Sequence, residues 1–217
     1  MHEDLLRWFF NENGLDKDAA PPAAALEHFH IKLFLENVPM QNIIDQTLRD
    51  KLPGRDAEVQ KEKNEIESAT TCDQVIKHLR RGADVLNQQI LVRKALDFED
   101  EIVPIIITML KTSLNDLFIE VSTRILAVCS KDIAEELVED YDNVRNPYAK
   151  SLILLALGFK ADEKRIPWLV KKFNELKASH PKESFCYGAY YALLEMDSRF
   201  YLESRKFRSQ LPVEDVQ

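Results

Sequence analysis

Glu27-His28-Phe29-His30 is the stretch whose residue types first suggest a metal site. On a helix, positions two apart point roughly 200° away from one another, so His28 and His30 are badly placed to share an ion. His78 and His180 have no companion at ligand spacing, and no HExxH, GxSxG or Gly-rich phosphate loop occurs. Carboxylates are abundant, with 37 Asp and Glu in 217 residues, yet no pattern pairs two of them in an apolar setting for acid and base work. Cys72, Cys129 and Cys186 are an odd count without CxxC or Cys/His spacing, which fits free thiols in a reducing compartment. The sequence therefore predicts no catalytic residue, no metal and no cofactor.

What remains is the chemistry of recognition. On a helical wheel, Trp168 falls opposite the stripe of Ile166, Leu169, Val170 and Phe173, alongside Lys171, Lys172 and Glu175 and just after Arg165. A tryptophan among cations is the kind of anchor that desolvated interfaces favour. The competing reading is that Trp168 packs against a neighbouring helix near Lys131 to Asp140 or Ser198 to Arg208. Between Lys131 and Asp142 stand Asp132, Glu135, Glu136, Glu139, Asp140 and Asp142 against a single lysine, an acidic ridge beside the basic one. Such polarity suits a charged partner, or else is a solvated face with ion pairs of small weight. Phe185, Tyr187, Tyr190, Tyr191, Phe200, Tyr201 and Phe207 are interleaved with Arg199, Arg205, Lys206 and Arg208. These aromatics offer stacking platforms, but an end repeat has an outer face to cover, which favours a core-sealing cap.

The elements that would position these side chains are helical. Asn146-Pro147 supplies a cap acceptor followed by a residue with no amide hydrogen, a good helix start. A first helix is expected over Pro147 to Leu157, ended by a left-handed Gly158, and a second from about Asp162 to Leu176. First helices of further pairs are expected to begin near Pro22, Asp56, Asp84, Asn115 and Pro181, and second helices near Pro39, Cys72, Glu101, Lys131 and Ser198. That is a period of about 31 residues, the spacing of a helical solenoid. Val38-Pro39, Val103-Pro104 and Ile166-Pro167 recur two periods apart in the first turns of second helices, where proline is tolerated. Thr71 to Gln74 forms a capping box. Arg55 to Glu67 is dominated by charge and predicts the most exposed repeat, whereas Ile102 to Leu110 and Leu152 to Leu157 are apolar all round and predict burial on both sides. The apolar helix from Glu3 to Phe10 reads as a lid over the open end of the stack.

Asp142-Asn143-Val144-Arg145, Leu154 to Gly158 and Ile166-Pro167-Trp168-Leu169 resemble the HEAT repeat, especially its short bacterial variety also seen in phycobilisome-lyase-type repeat proteins. In that pattern an aspartate and a Val-Arg pair open the first helix, Leu-Gly closes it and Ile-Pro-x-Leu enters the second. Here Asn146-Pro147 follows Val144-Arg145, so the Val-Arg pair is expected to precede the helix. Val92-Arg93 and Val103-Pro104 echo the pattern, and the period extends it along the chain. The resemblance implies an all-α, right-handed α-α superhelix of about six helical hairpins plus an N-terminal capping helix. It implies a single domain over 1–217, with the cap helix and loop in 1–20, the repeats in 21–209 and a frayed tail in 210–217. Second helices of such proteins line the concave side, which places Trp168, Lys171, Lys172, Glu175, Arg165, Glu136 and Glu139 on a binding ridge.

A formal charge of −8 disfavours a protein whose task is coating nucleic acid, because that needs a net positive field to displace counterions. MHEDLLRWFF lacks the basic opening and cleavage site of a signal peptide, and no apolar run approaches the roughly 20 residues needed to cross a bilayer. The leading expectation is a cytoplasmic, non-enzymatic scaffold or adaptor that binds another protein or peptide, without membrane involvement. HEAT-like nucleic-acid binding or DNA repair, and a lyase-type repeat subunit, are the alternatives.

Overall fold

Asparagine, threonine and proline mark the starts of four of the described α-helices. The computed structural model describes residues 1–13 and 54–209, with side chains as far as Tyr201. Its α-helices are α1 (His2–Glu12), α2 (Arg55–Glu67), α3 (Cys72–Arg81), α4 (Gln88–Leu96), α5 (Glu99–Leu110), α6 (Asp116–Val128), α7 (Ala134–Asp140), α8 (Pro147–Lys160), α9 (Ile166–Ser179) and α10 (Tyr187–Ser209). Short 3-10 turns, Tyr141–Asn143 and Glu163–Arg165, lead into α8 and α9. No strand occurs among the described residues, so the fold is all-α there. The starts expected at Pro22 and Pro39, the Val38-Pro39 step, the Glu27 to His30 stretch and the tail from Gln210 lie outside those residues.

Local capping chemistry accounts for the boundaries. Thr71 accepts from the Gln74 amide while the Gln74 side chain returns to the Thr71 amide, a complete capping box on α3. Asn115 accepts from the Phe118 amide and Asn146 from the Tyr148 amide, so α6 and α8 each begin on an asparagine acceptor. The same two residues also reach backwards: Asn115 Nδ2 donates to the Arg80 carbonyl and Asn146 Nδ2 to the Ser113 carbonyl. Asn87, ahead of α4, donates to the Val59 carbonyl and to Glu62. Three asparagines thus tie a helix start to an earlier segment about 30 residues back, and at Arg80 the bond satisfies a carbonyl that the helix end leaves orphaned.

Helices α2, α4, α6, α8 and α10 contact one another in that order, forming a first row. Helices α3 and α5 pack together, and side-chain bridges extend a second row through α7 to α9. Lys131 pairs with Asp100 and Lys111 with Asp140 between α5 and the α7 segment, and Arg165 pairs with Glu135 onward to α9. Partners in these bridges recur at separations near 30: Glu99 and Ser130 are 31 apart, Glu135 and Arg165 are 30 apart, and Asp142 and Lys172 are 30 apart.

Burial follows the apolar pattern. In α5, Ile102, Val103, Ile106, Ile107 and Leu110 are buried, each contributing roughly 2 kcal/mol of transfer free energy. Every residue of Leu152 to Leu157 is buried, and in α2 only Ile66 is.

Two expectations are corrected. Gly158 does not end its helix, because α8 runs on to Lys160. Its role is steric: a Cβ there would lie 2.6 Å from Ala192 Cα, so the missing side chain lets α8 and α10 approach closely. The expected final hairpin, starting near Pro181 and Ser198, is instead one 23-residue helix starting at Tyr187, since nothing after Gly188 breaks it. Helix α1, read from the sequence as a lid over an open end, lies at the C-terminal end of the described helices. It packs against α9 and α10, with Phe9 edge-on to Phe173 at 4.9 Å and Phe10 edge-on to Tyr190 at 5.8 Å. The helix occupies the second-row place after α9, where a helix near Ser198 was expected, and so the two ends of the described chain meet.

The closest backbone approach is at Gly188, where a Cβ would fall 1.9 Å from the Ser151 carbonyl oxygen. Gly188→Ala is expected to cost about 3 kcal/mol by forcing α8 and α10 apart. Gly54→Ala has open space and a φ of +90°, so only backbone strain of about 1 kcal/mol is expected. Urea denaturation of both variants checks this, and equal losses would contradict the tight crossing.

Candidate functional site

Lys172 lies three residues after Leu169 and four before Leu176, on the edge of the buried stripe of α9. Its stem is buried and its ammonium reaches out between two carboxylates, Asp142 at 2.9 Å and Glu175 at 2.9 Å. The same ammonium sits 5.0 Å from the Tyr141 ring centroid and 5.6 Å from that of Trp168, while Lys150 approaches Tyr141 at 5.2 Å. Burial alone would lower the Lys172 pKa, but the bonds to Glu175 and Asp142 outweigh it and hold the group above its ordinary value. Asp142 shifts the opposite way, held low chiefly by the hydrogen bond from Lys172.

The predicted site residues therefore divide. Trp168 is half-buried and edge-on to Tyr141 at 5.2 Å, so one face of its ring is committed to packing against the turn that follows α7. Lys172 is buried and paired, not a free surface cation. Arg165 is paired with Glu135. Lys171, Glu175, Glu136 and Glu139 are exposed, with Lys171 3.7 Å from Glu175. Helices α7 and α9 thus present acidic and mixed charge side by side. The aromatic cluster of α10 faces inward in part: Tyr190 is buried against Phe9, Phe10 and Phe173, while Tyr187 is about half exposed.

Cations on α3 escape attention in the sequence. Lys77, Arg80 and Arg81 are exposed and share one helix face, since they stand at i, i+3 and i+4. None makes an ion pair with a described residue; Arg80 donates only weakly, to the Met109 sulfur at 3.8 Å. Arg81 lines three hollows around this helix. One of them, of about 500 Å³, runs between α3 and α5 and is lined by Asp73, Ile76, Lys77, Arg80, Arg81 and Ile105. The KHLRR run at Lys77 to Arg81 carries the signal that finds them, read as a helical face.

Inside the first row lies a second polar feature. Arg124 of α6 is buried and donates to Gln88 of α4 at 2.7 Å, with Glu120 4.0 Å away. Tyr148 of α8 donates to Glu120 at 2.7 Å. Burial lowers the Arg124 pKa and raises that of Tyr148. The chain links three adjacent helices. Cys72, Cys129 and Cys186 are buried free thiols, each pushed up in pKa by burial. No cluster of three or more metal-capable side chains occurs among the described residues.

No protein-family model matches the chain, and no curated protein or solved structure shows significant similarity to it.

The Asp142–Lys172 bridge has a defined pH signature. A carboxylate whose folded pKa is depressed contributes stability above its unfolded pKa and loses it as pH falls through the folded value. Asp142→Asn should be less stable than the parent at neutral pH, by less than about 1 kcal/mol because Asp142 is solvent-exposed. The gap should close once the pH falls below the usual carboxylate range. Thermal melts across that range test it, and a gap independent of pH would contradict the pairing.

Proposed function

We propose that this chain is a non-catalytic helical-repeat scaffold that binds another protein or peptide along the face formed by α3, α5, α7 and α9. The observation that carries the reading is the polarity of that face. Exposed cations lie on α3, half-exposed Ile105 and Met109 on α5, and exposed Glu135, Glu136 and Glu139 on α7. Ordered variation of this kind selects and orients a partner more than it stabilises a fold. The bridges between residues about 30 apart support a HEAT-like stack, in the finer form of a right-handed superhelix whose second helices line the concave side. No helix among the described residues is long and apolar enough to cross a membrane, consistent with a partner met in water. Repeat architectures host many functions, so the face and not the fold carries the proposal.

Affinity capture from the source cell with the full chain tests it. A partner held by the parent should be lost or much reduced when Glu136→Lys, Glu139→Lys and Lys171→Glu are combined. Arg93→Glu, exposed on first-row α4, should leave capture unchanged. Equal capture by all forms, or a partner lost only with Arg93→Glu, would contradict the assignment of the face.

A further inference from the structure

We infer that the groove between α3 and α5 is a docking site for an acidic peptide segment with an apolar anchor residue. This rests on the scaffold reading above and names the ligand of one part of its face. The groove has an apolar floor, formed by buried Ile76 and half-buried Ile105, and a rim carrying Lys77, Arg80 and Arg81. At about 500 Å³ it is in the size range of small ligand sites.

Charge complementarity decides the occupant. The chain carries 37 acidic and 29 basic residues, so cations have carboxylates to spare, and several of those on the second row are taken up by them. Lys94 pairs with Asp97, Lys111 with Asp140, Lys131 with Asp100 and Arg165 with Glu135. Lys77, Arg80 and Arg81 make no ion pair with a described residue, and what sets them apart is that the three stand together on one helix face beside an open groove. Basic residues in a last turn do suit the helix dipole, but that interaction acts at the helix end and gives no reason for an apolar trough next to them. Asp73 lines the same groove, so the ligand's carboxylates belong at the Arg80 and Arg81 end, with its apolar side chain between Ile76 and Ile105.

An acidic peptide fits better than a nucleic acid. The cations are confined to one helix, and the second row becomes acidic at α7, where a phosphate backbone continuing along the face would be repelled. A short peptide can place carboxylates at α3 alone.

Fluorescence anisotropy with the full chain tests the site. The probe is a short labelled peptide with a central leucine-phenylalanine pair flanked by glutamates; labelled duplex DNA is a separate arm. The glutamate peptide should bind, more weakly as salt rises. Its affinity should fall about tenfold or more with Lys77→Glu and Arg81→Glu combined, and should also fall when serines replace the apolar pair. Both substitutions are on exposed side chains, so thermal melts should show an intact fold. Absence of binding, undiminished binding by the double variant, or tighter binding of DNA would overturn the inference. Binding that survives the double variant but is lost with Lys171→Glu would remove this groove while leaving the scaffold reading in place.

Discussion

Each helix end leaves backbone groups without partners, and the way this chain satisfies them governs its assembly. Asn115 and Asn146 accept from an amide of their own helix and donate to a carbonyl in the last turn of α3 and just past the end of α5, respectively. Asn115 thereby serves two helix termini, and Asn146 ties the start of α8 to the turn ahead of α6. The donor and acceptor lie 35 and 33 residues apart. Tyr148 reaching Glu120, and Asn87 reaching Val59, work at a similar span. The stack is held by polar bridges at its corners and by apolar stripes between its rows.

The C-terminal end of the stack obeys a different constraint. Gly158 and Gly188 remove the side chains that would separate α8 from α10, and Ala192 and Ser151 lie directly against the gaps. The aromatic residues beyond this crossing would face solvent if α10 had no second-row partner. Phe9 and Phe10 of α1 cover Tyr190 and Phe173, and Lys177 donates to Asn13 at 3.1 Å across the same junction. An apolar N-terminal helix and an unpaired C-terminal helix thus answer one another.

Local features were legible in the sequence and distant ones were not. Asn146-Pro147 and the Thr71 capping box declare themselves within four residues, as do the all-round apolar α5 and the charged α2. Gly158 looked like a helix stop because glycine usually marks one, while its actual partner is Ala192, far along the chain. Ser198 fell on the period but lacks any backbone reason to break a helix. Lys172 seemed to belong to an exposed ridge because a wheel shows angles and not stem length; its methylenes lie in the core edge while its charge reaches Asp142. The α3 cations were readable as a face, yet only the hollow beside them, created by α5, distinguishes that face from an ordinary solvated one.

The central claim is that the second row is a recognition face and the first row its support. Amide hydrogen exchange of the full chain, with and without the glutamate-flanked peptide, tests this most directly. The account predicts slowed exchange in α3 and α5 upon peptide addition, with α4, α6 and α8 unchanged. Slowing confined to first-row helices, with α3 and α5 unchanged, would contradict it.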